Sequence, residues 1–338
     1  MSKYKSKRSE FPPISPETPW LAPLAGYSDL PFRLLCREYG CKMTCTEMVS
    51  AKGLVYNSPG TRDLLATTPE EQDLVVQLFG ADLKCMQEAM AQLVELGFKY
   101  FDLNAGCPVR KVIKTGAGAA LLKTPDTLLS LLEAMLDIAG KGYVGVKLRP
   151  GWQVQDTLYL ELASDLEAMG LGWISLDSRS AKQAFSGNAD WNKLRFLKEK
   201  TSLPVIGSGD LFTASDAFNC LQQTGISTIM FARGALNNPM IFADYLKLLS
   251  GKEPEERSIK DLTAMIRRHG YLCQKYADEH KSLLKMRSIV PRYVRGFHGA
   301  RHLRQELASC TSWERFEELL TLLEKQNTGQ MDDNYKTG

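Results

Sequence analysis

The segment Phe101–Leu122, FDLNAGCPVRKVIKTGAGAALL, puts Cys107 just past an apolar run, with Lys111, Lys114 and the glycines Gly116 and Gly118 behind it. A thiol at the end of a buried strand, with cations close by in the chain, is a candidate acid or nucleophile, because neighbouring positive charge favours the thiolate. The other seven cysteines (Cys36, Cys41, Cys45, Cys85, Cys220, Cys273 and Cys310) read as ordinary space-filling residues. With no CxxC pair and no histidine at ligand spacing, neither a zinc site nor a disulfide framework is indicated, and no metal is expected. His269, His280, His298 and His302 are the only histidines, so residues 1–268 must do any proton chemistry with other groups. Gln77, Asp102 and Lys147 fall inside runs that otherwise read as buried strands, where polar side chains need a reason. Far along the chain, Lys281–Arg304 (KSLLKMRSIVPRYVRGFHGARHLR) holds Lys281, Lys285, Arg287, Arg292, Arg295, Arg301 and Arg304 without one acidic residue, interleaved with Tyr293, Phe297, His298 and His302. Cations and aromatics at helical spacing suit a phosphate backbone and the folded shape of RNA.

Eight short β-rich runs must position the first group: Trp20–Leu24, Met43–Met48, Leu74–Phe79, Tyr100–Asn104, Val144–Arg149, Trp173–Leu176, Pro204–Ser208 and Thr228–Ala232. Amphipathic segments with helical spacing lie between them, among them Leu83–Leu96, Asp126–Ile138, Thr157–Met169, Asn192–Lys200 and Ala214–Thr224. The alternation predicts an α/β chain folded as a (β/α)8 TIM barrel, whose catalytic face is formed by the carboxyl ends of the strands. The charged linker Gly251–Ser258 leads to a purely helical pattern. The expected organisation is a basic, disordered lead-in over 1–18, a barrel over 19–250, a small all-helical domain over 259–325 and a polar tail over 326–338.

A chain of 338 residues with 44% hydrophobic and 24% charged residues has the composition of a globular protein able to bury a large core. No apolar run approaches the length of a membrane span, and the basic, proline-bearing start carries no secretory core. A cytoplasmic protein is expected, with no membrane contact and no obligate protein partner inferred. The net charge of +3 says little about partners; the distribution along the chain says more.

LAPLAGYSDLPFR (Leu21–Arg33), TEMVSAKGL (Thr46–Leu54), VVQLFGAD (Val75–Asp82), the Cys107 segment, VGVKLRPGW (Val144–Trp152), SGNADW (Ser186–Trp191), PVIGSGD (Pro204–Asp210) and FARGALNNP (Phe231–Pro239) together resemble, in order, the tRNA-dihydrouridine synthases. The bacterial synthases of the B type are the nearest likeness. NxGCP with the basic glycine loop behind it is the specific element; GxGD and ARGA recur in other flavin barrels. The resemblance implies an FMN enzyme that is reduced by NADPH and then reduces the C5=C6 bond of specific uridines in tRNA. Cys107 would protonate C5. Pro23, Leu24 and Ala25 would lie against the flavin ring, Gln77 and Lys147 would hold its polar edge, and Ser208, Gly209, Asp210, Ala232 and Arg233 would cradle its phosphate. Glu47 and Asn104 would line the uridine pocket, with a structural salt bridge an equal alternative for Glu47, and Lys111, Arg287, Arg292 and Arg295 would meet the RNA. No dinucleotide fingerprint marks a nicotinamide site, so the sequence does not choose NADPH over NADH, and the donor would visit transiently.

Two positions depart from the family pattern. Asp177-Ser178-Arg179-Ser180 stands where a His-Gly-Arg-Thr-like motif is usual, so a carboxylate would approach the flavin unless Arg179 pairs with it. Ser208 stands where asparagine is common. Two rival readings follow: an FMN reductase acting on a small molecule such as a free pyrimidine, and a catalytically weakened family member that only binds RNA.

Overall fold

The computed structural model describes residues 11–327. Among these residues nine strands form one all-parallel sheet: β1 Trp20–Leu21, β2 Met43–Cys45, β3 Val49–Ser50, β4 Leu74–Phe79, β5 Tyr100–Ala105, β6 Val144–Leu148, β7 Trp173–Asp177, β8 Val205–Ser208 and β9 Thr228–Phe231. The order β2-β1-β9-β8-β7-β6-β5-β4-β3, closed by pairing of β2 with β4, makes an eight-stranded barrel, with β3 a two-residue rung on the end of β4. Helices connect the strands, so the expected TIM barrel is present.

Two strands are shorter than the sequence suggests by more than one residue. Trp20–Leu24 stops at Leu21 because Pro23 has no N–H to continue the ladder, although the Ala22 N–H still bonds to the Phe231 carbonyl at 2.8 Å. Met43–Met48 breaks at Cys45, where Thr46 turns its hydroxyl to the Gln77 N–H (3.1 Å) and the Glu47 carbonyl (2.8 Å), and pairing resumes at Val49.

The lower barrel interior is a separate apolar cluster of Trp20, Ala22, Met43, Cys45, Val75, Tyr100, Trp173, Ile206 and Met230. Phe11 closes it from below, stacked on Trp173 at 4.8 Å and edge-on to Tyr100 at 4.7 Å. Residues 11–18, which the sequence reading joined to the lead-in, therefore belong to the barrel's floor: Phe11 and Ile14 have an apolar surface to cover, and the Tyr245 hydroxyl bonds to the Pro16 carbonyl at 3.1 Å. The remaining lead-in (1–10) and most of the tail (328–338) lie outside the described residues.

A buried ion pair fixes the first barrel helix, Leu30–Glu38. The Arg33 guanidinium grips both Glu71 oxygens (2.7 and 2.8 Å) and donates to the Ser28 and Ala66 carbonyls, while Thr44 and Thr67 hydroxyls complete Glu71. Such full satisfaction is what makes burying two charges tolerable.

Beyond the barrel, four helices, Ile259–Tyr276, Glu279–Tyr293, Ala300–Ser309 and Trp313–Asn327, pack together over leucines 303, 307, 319, 320 and 323. The first starts at a Ser258/Asp261 capping box and lies along Leu30–Glu38, with Arg268 paired to Glu38 at 2.6 Å. None of the described helices is long and apolar enough to cross a membrane.

Candidate active site

The strand register stacks polar side chains above the apolar floor. Gln77 stands beside Asp102, and Asn104, Lys147 and Ser175 are neighbours across β5, β6 and β7. Gln77 and Asp102 are enclosed, whereas Lys147 is half-buried. Gln77 Nε2 donates to Asp102 at 2.8 Å, Trp173 Nε1 donates to the other Asp102 oxygen at 3.1 Å, and Asn104 Nδ2 donates to Gln77 Oε1 at 2.8 Å. Burial pushes the Asp102 carboxyl up to about 6, against the opposing pull of the Gln77 and Trp173 hydrogen bonds and the Lys147 charge.

Cys107 sits half-buried in the turn that leaves β5. Asn104 Oδ1 accepts from the Cys107 N–H (2.9 Å) and the Gly106 N–H (3.2 Å), and Ala119 N–H donates to the Cys107 carbonyl at 2.9 Å. Gly118 allows that last approach: at φ +62° a Cβ there would lie 2.7 Å from the Cys107 oxygen. Burial raises the thiol pKa, and the Val109 N–H, Arg149 and Lys147 only partly offset it. This corrects the sequence expectation in two ways. The cations that reach the thiol come from β6 and its end, not from Lys111 and Lys114, which are exposed on the short helix Arg110–Ile113 and its end; and their effect does not overcome desolvation. The thiol is therefore held protonated, as an acid requires and a nucleophile does not.

Sequence reasoning did not single out Arg149. It is buried at the β6 end and joins three segments: Nε donates to the Gly106 carbonyl (2.8 Å), Nη1 to the Ser180 (2.8 Å) and Arg179 (3.3 Å) carbonyls, and Nη2 to Asp177 (3.2 Å). The available signal was a second cation two residues past Lys147 on the same strand face. Arg149 also answers the question raised by Asp177. That carboxylate is held by Arg149 and by the Arg179 N–H (3.3 Å), with the Arg179 guanidinium 3.9 Å away, so it does not face the mouth as a bare negative charge.

Asp210, past β8, accepts from the buried Arg179 guanidinium, from the Ala189 N–H at 2.7 Å and from Arg233 at 3.3 Å. Burial pushes its carboxyl up, but the Arg179 hydrogen bond and the nearby charges outweigh that and hold it below the usual range. Arg233 remains partly exposed, stacked over Phe212 at 4.8 Å. Ser208 and Gly209 lead to Asp210, and Ala232 precedes Arg233, so the five residues converge at the β8 and β9 ends. Lys147, Arg149, Arg179 and Arg233 thus gather at the mouth with Asp177 and Asp210, and Lys147 also feels the charge of Asp102 below it.

The loop after β1 carries Pro23, Leu24 and Ala25 and is fixed by Ser28 Oγ accepting from the Leu24 N–H at 2.9 Å. Glu47 makes no salt bridge among the described residues; its carboxylate accepts from the Gly26 N–H in the same loop, and burial raises its pKa despite that bond. The helical region reaches this loop directly. Lys285 Nζ donates to the Gly26 carbonyl at 2.8 Å and pairs with Asp29 at 3.0 Å, and Arg292 donates to the Tyr27 hydroxyl at 3.0 Å. Arg287 is bonded to the Ala308 carbonyl at the end of Ala300–Ser309. Of the four cations put forward for RNA contact, Arg287 and Arg292 are therefore engaged within the protein, and Lys111 and Arg295 are exposed.

The barrel is similar in fold to two solved structures: morphinone reductase (TM-score 0.51, 13% identity, 71% of this chain and 87% of that one) and a 2-naphthoyl-CoA reductase complex (TM-score 0.53, 11% identity, 70% and 50%). The sequence is more decisive. Residues 20–328 match the family model described as dihydrouridine synthase, and the chain belongs to that family. A probable tRNA-dihydrouridine synthase of Treponema pallidum is 31% identical over 88% of this chain and 90% of its own length. The tRNA-dihydrouridine synthase B of Pseudomonas aeruginosa is 29% identical over 91% and 94%, and that of Pasteurella multocida 31% over 86% and 88%.

Proposed function

We propose that the chain is an oxidoreductase that reduces specific uridines of tRNA to dihydrouridine, with FMN as bound cofactor and NADPH as transient reductant. The observation that carries this reading is the pairing, at one barrel mouth of a dihydrouridine synthase family member, of a protonated, half-buried Cys107 with a Lys147 ammonium that has no hydrogen-bond or ion-pair partner among the described residues.

The residues fit FMN. Besides the unpartnered Lys147, the Ser175 and Ser178 hydroxyls are buried without a hydrogen bond, so polar groups at the mouth have capacity left for a polar ring edge. Lys147 and Gln77 would meet that edge, Pro23, Leu24 and Ala25 would cover the ring, and Ser208, Gly209, Asp210, Ala232 and Arg233 would hold the phosphate, where TIM barrels commonly bind one. Bound there, FMN would supply the hydride. Lys147 offsets developing negative charge, a role that desolvation strengthens. Cys107 gives its proton to uridine C5, and the raised thiol pKa keeps that proton available at neutral pH. Glu47 and Asn104 line the space a uridine must enter, and since its C5 and C6 are reached only outside the stack, a flipped nucleotide is required. Arg295 and Lys111, both exposed, are available to phosphates; Arg292 and Arg287 contribute by holding the helical region to the barrel loop and to itself.

The test is incubation of unmodified tRNA with the purified protein, FMN and NADPH. Dihydrouridine that forms with the wild type and not with Cys107→Ala supports the reading. Turnover of free uridine at a rate comparable to tRNA would instead favour a small-molecule reductase.

A further inference from the structure

Asp102 is a carboxylate enclosed at the centre of the barrel, where an apolar side chain would be the cheaper filling, and the proposed chemistry does not touch it. Its two oxygens accept from Trp173 Nε1 and Gln77 Nε2. Gly145 makes the first contact possible, because a Cβ there would lie 2.0 Å from the indole that crosses it. An ionised carboxylate only accepts, so it can be met on the Gln77 side only by the amide NH2. Gln77 Oε1 then points to Asn104 and must be met by the Asn104 NH2, at 2.8 Å. That leaves Asn104 Oδ1 outward, where it accepts the N–H groups of Gly106 and Cys107. Two amides in series could run in either direction on their own, since oxygen and nitrogen exchange places without a change of shape. Run in reverse, the chain would set the Asn104 NH2 against two backbone N–H groups and drive off the turn that carries Cys107.

We propose that Asp102 is a positioning residue: it fixes the direction of the Gln77–Asn104 chain and thereby seats the Cys107 turn. The proposal rests on the reading of Cys107 as proton donor for its bearing on catalysis, but not for its bearing on the turn. The groups facing Asp102 are Gln77 on β4, Trp173 on β7, Lys147 on β6 and Cys45 on β2, and the Lys147 charge favours the ionised form that the argument needs.

The test is a rescue. In Asp102→Asn, one oxygen is left for two donors; if Trp173 keeps it, the introduced NH2 turns Gln77 round and the chain reverses. Adding Trp173→Phe removes the competing donor and frees the oxygen for Gln77. The readouts are the rate of Cys107 alkylation by iodoacetamide across pH, followed by peptide mapping, and dihydrouridine formation on tRNA. The expected result is a changed alkylation profile and turnover reduced about a hundredfold in Asp102→Asn, with the double variant returning to the behaviour of Trp173→Phe alone. Two losses from a core that merely needed filling would compound, so a double variant as impaired as Asp102→Asn, or worse, overturns the proposal, as does an Asp102→Asn protein indistinguishable from wild type. If Asp102→Asn alone does not fold, a folded double variant with the Trp173→Phe alkylation profile is the same rescue, and an unfolded one overturns it. Full turnover by Cys107→Ala would sink the catalytic reading of the thiol while leaving the alkylation comparison intact.

Discussion

Replacing Arg149 with methionine removes a guanidinium that is buried at the β6 end while keeping much of its volume. Two carbonyls that it meets at 2.8 Å, those of Gly106 and Ser180, lose their donor, and the 3.3 Å bond to the Arg179 carbonyl goes with them. Each buried carbonyl left unpaired costs about 1–3 kcal/mol. Asp177 also loses its nearest cation, but it is a fifth exposed and Arg179 stays close, so water absorbs part of that loss. The guanidinium's own desolvation, which lowers its pKa, is relieved by the change and returns some of the cost. The balance is a destabilisation of about 3–5 kcal/mol, close to that for breaking a buried pair. Urea unfolding of the purified protein measures it. The same variant removes one of the charges that lower the Cys107 pKa, so alkylation at a fixed alkaline pH becomes slower. A loss below about 1 kcal/mol, the net worth of a single ordinary hydrogen bond, would refute the reasoning that Arg149 ties the Cys107 turn to the end of β7. Arg149→Lys should recover only part of the stability, because one ammonium cannot span the same set of acceptors.

Arg33→Ala strands the buried Glu71 carboxylate and should cost about 3–5 kcal/mol in the same unfolding assay. Lys147→Met removes a desolvated ammonium whose pKa burial lowers, so the flavin-free protein should be as stable as wild type or more so, while FMN affinity, measured by quenching of flavin fluorescence, should fall about 10- to 100-fold. Because burial holds the Cys107 pKa above the ordinary thiol value, iodoacetamide labelling of that residue should be slow at pH 7 and climb only at higher pH; fast labelling at neutrality would contradict the protonated thiol. Lys285→Ala cuts the bonds to Gly26 and Asp29, and hydrogen exchange over residues 24–30 should accelerate while the barrel strands keep their protection.

The barrel was legible because its strands are short apolar runs divided by amphipathic segments, a local pattern that closure of the sheet does not alter. Where the chain departs, the causes are backbone chemistry and distant contact. Pro23 ends β1 by lacking a donor, and Phe11 reads as part of a basic, proline-bearing lead-in until Trp173 and Tyr100 are seen to need a cover. The site shows the same division. Cys107, Gln77, Asn104 and Lys147 could be named from their motif and from their polarity within strands. The cations acting on Cys107 could not: Lys111 and Lys114 are near in sequence but exposed, and Lys147 and Arg149 arrive from the neighbouring strand. In the basic stretch, composition counts charges without knowing which will be used on the protein's own acceptors. Arg287 is spent on the Ala308 carbonyl, Arg292 on Tyr27 and Lys285 on Gly26 and Asp29, leaving Arg295, Arg301 and Arg304 exposed. Asp177 is the converse case, a carboxylate that looks misplaced in sequence and is held by Arg149 and Arg179 in the fold.

On the proposed reading, Cys107 supplies a proton to a tRNA uridine beside a bound flavin. Mass analysis of nucleosides from unmodified tRNA, incubated with the flavin-loaded protein and NADPH, tests it most directly when wild type and Cys107→Ala are compared at equal flavin content. Uridines should gain the mass of two hydrogens with the wild type and remain unchanged, or nearly so, with the variant, while both proteins keep their flavin spectrum. Dihydrouridine formed equally fast by the two, or by neither, would contradict it.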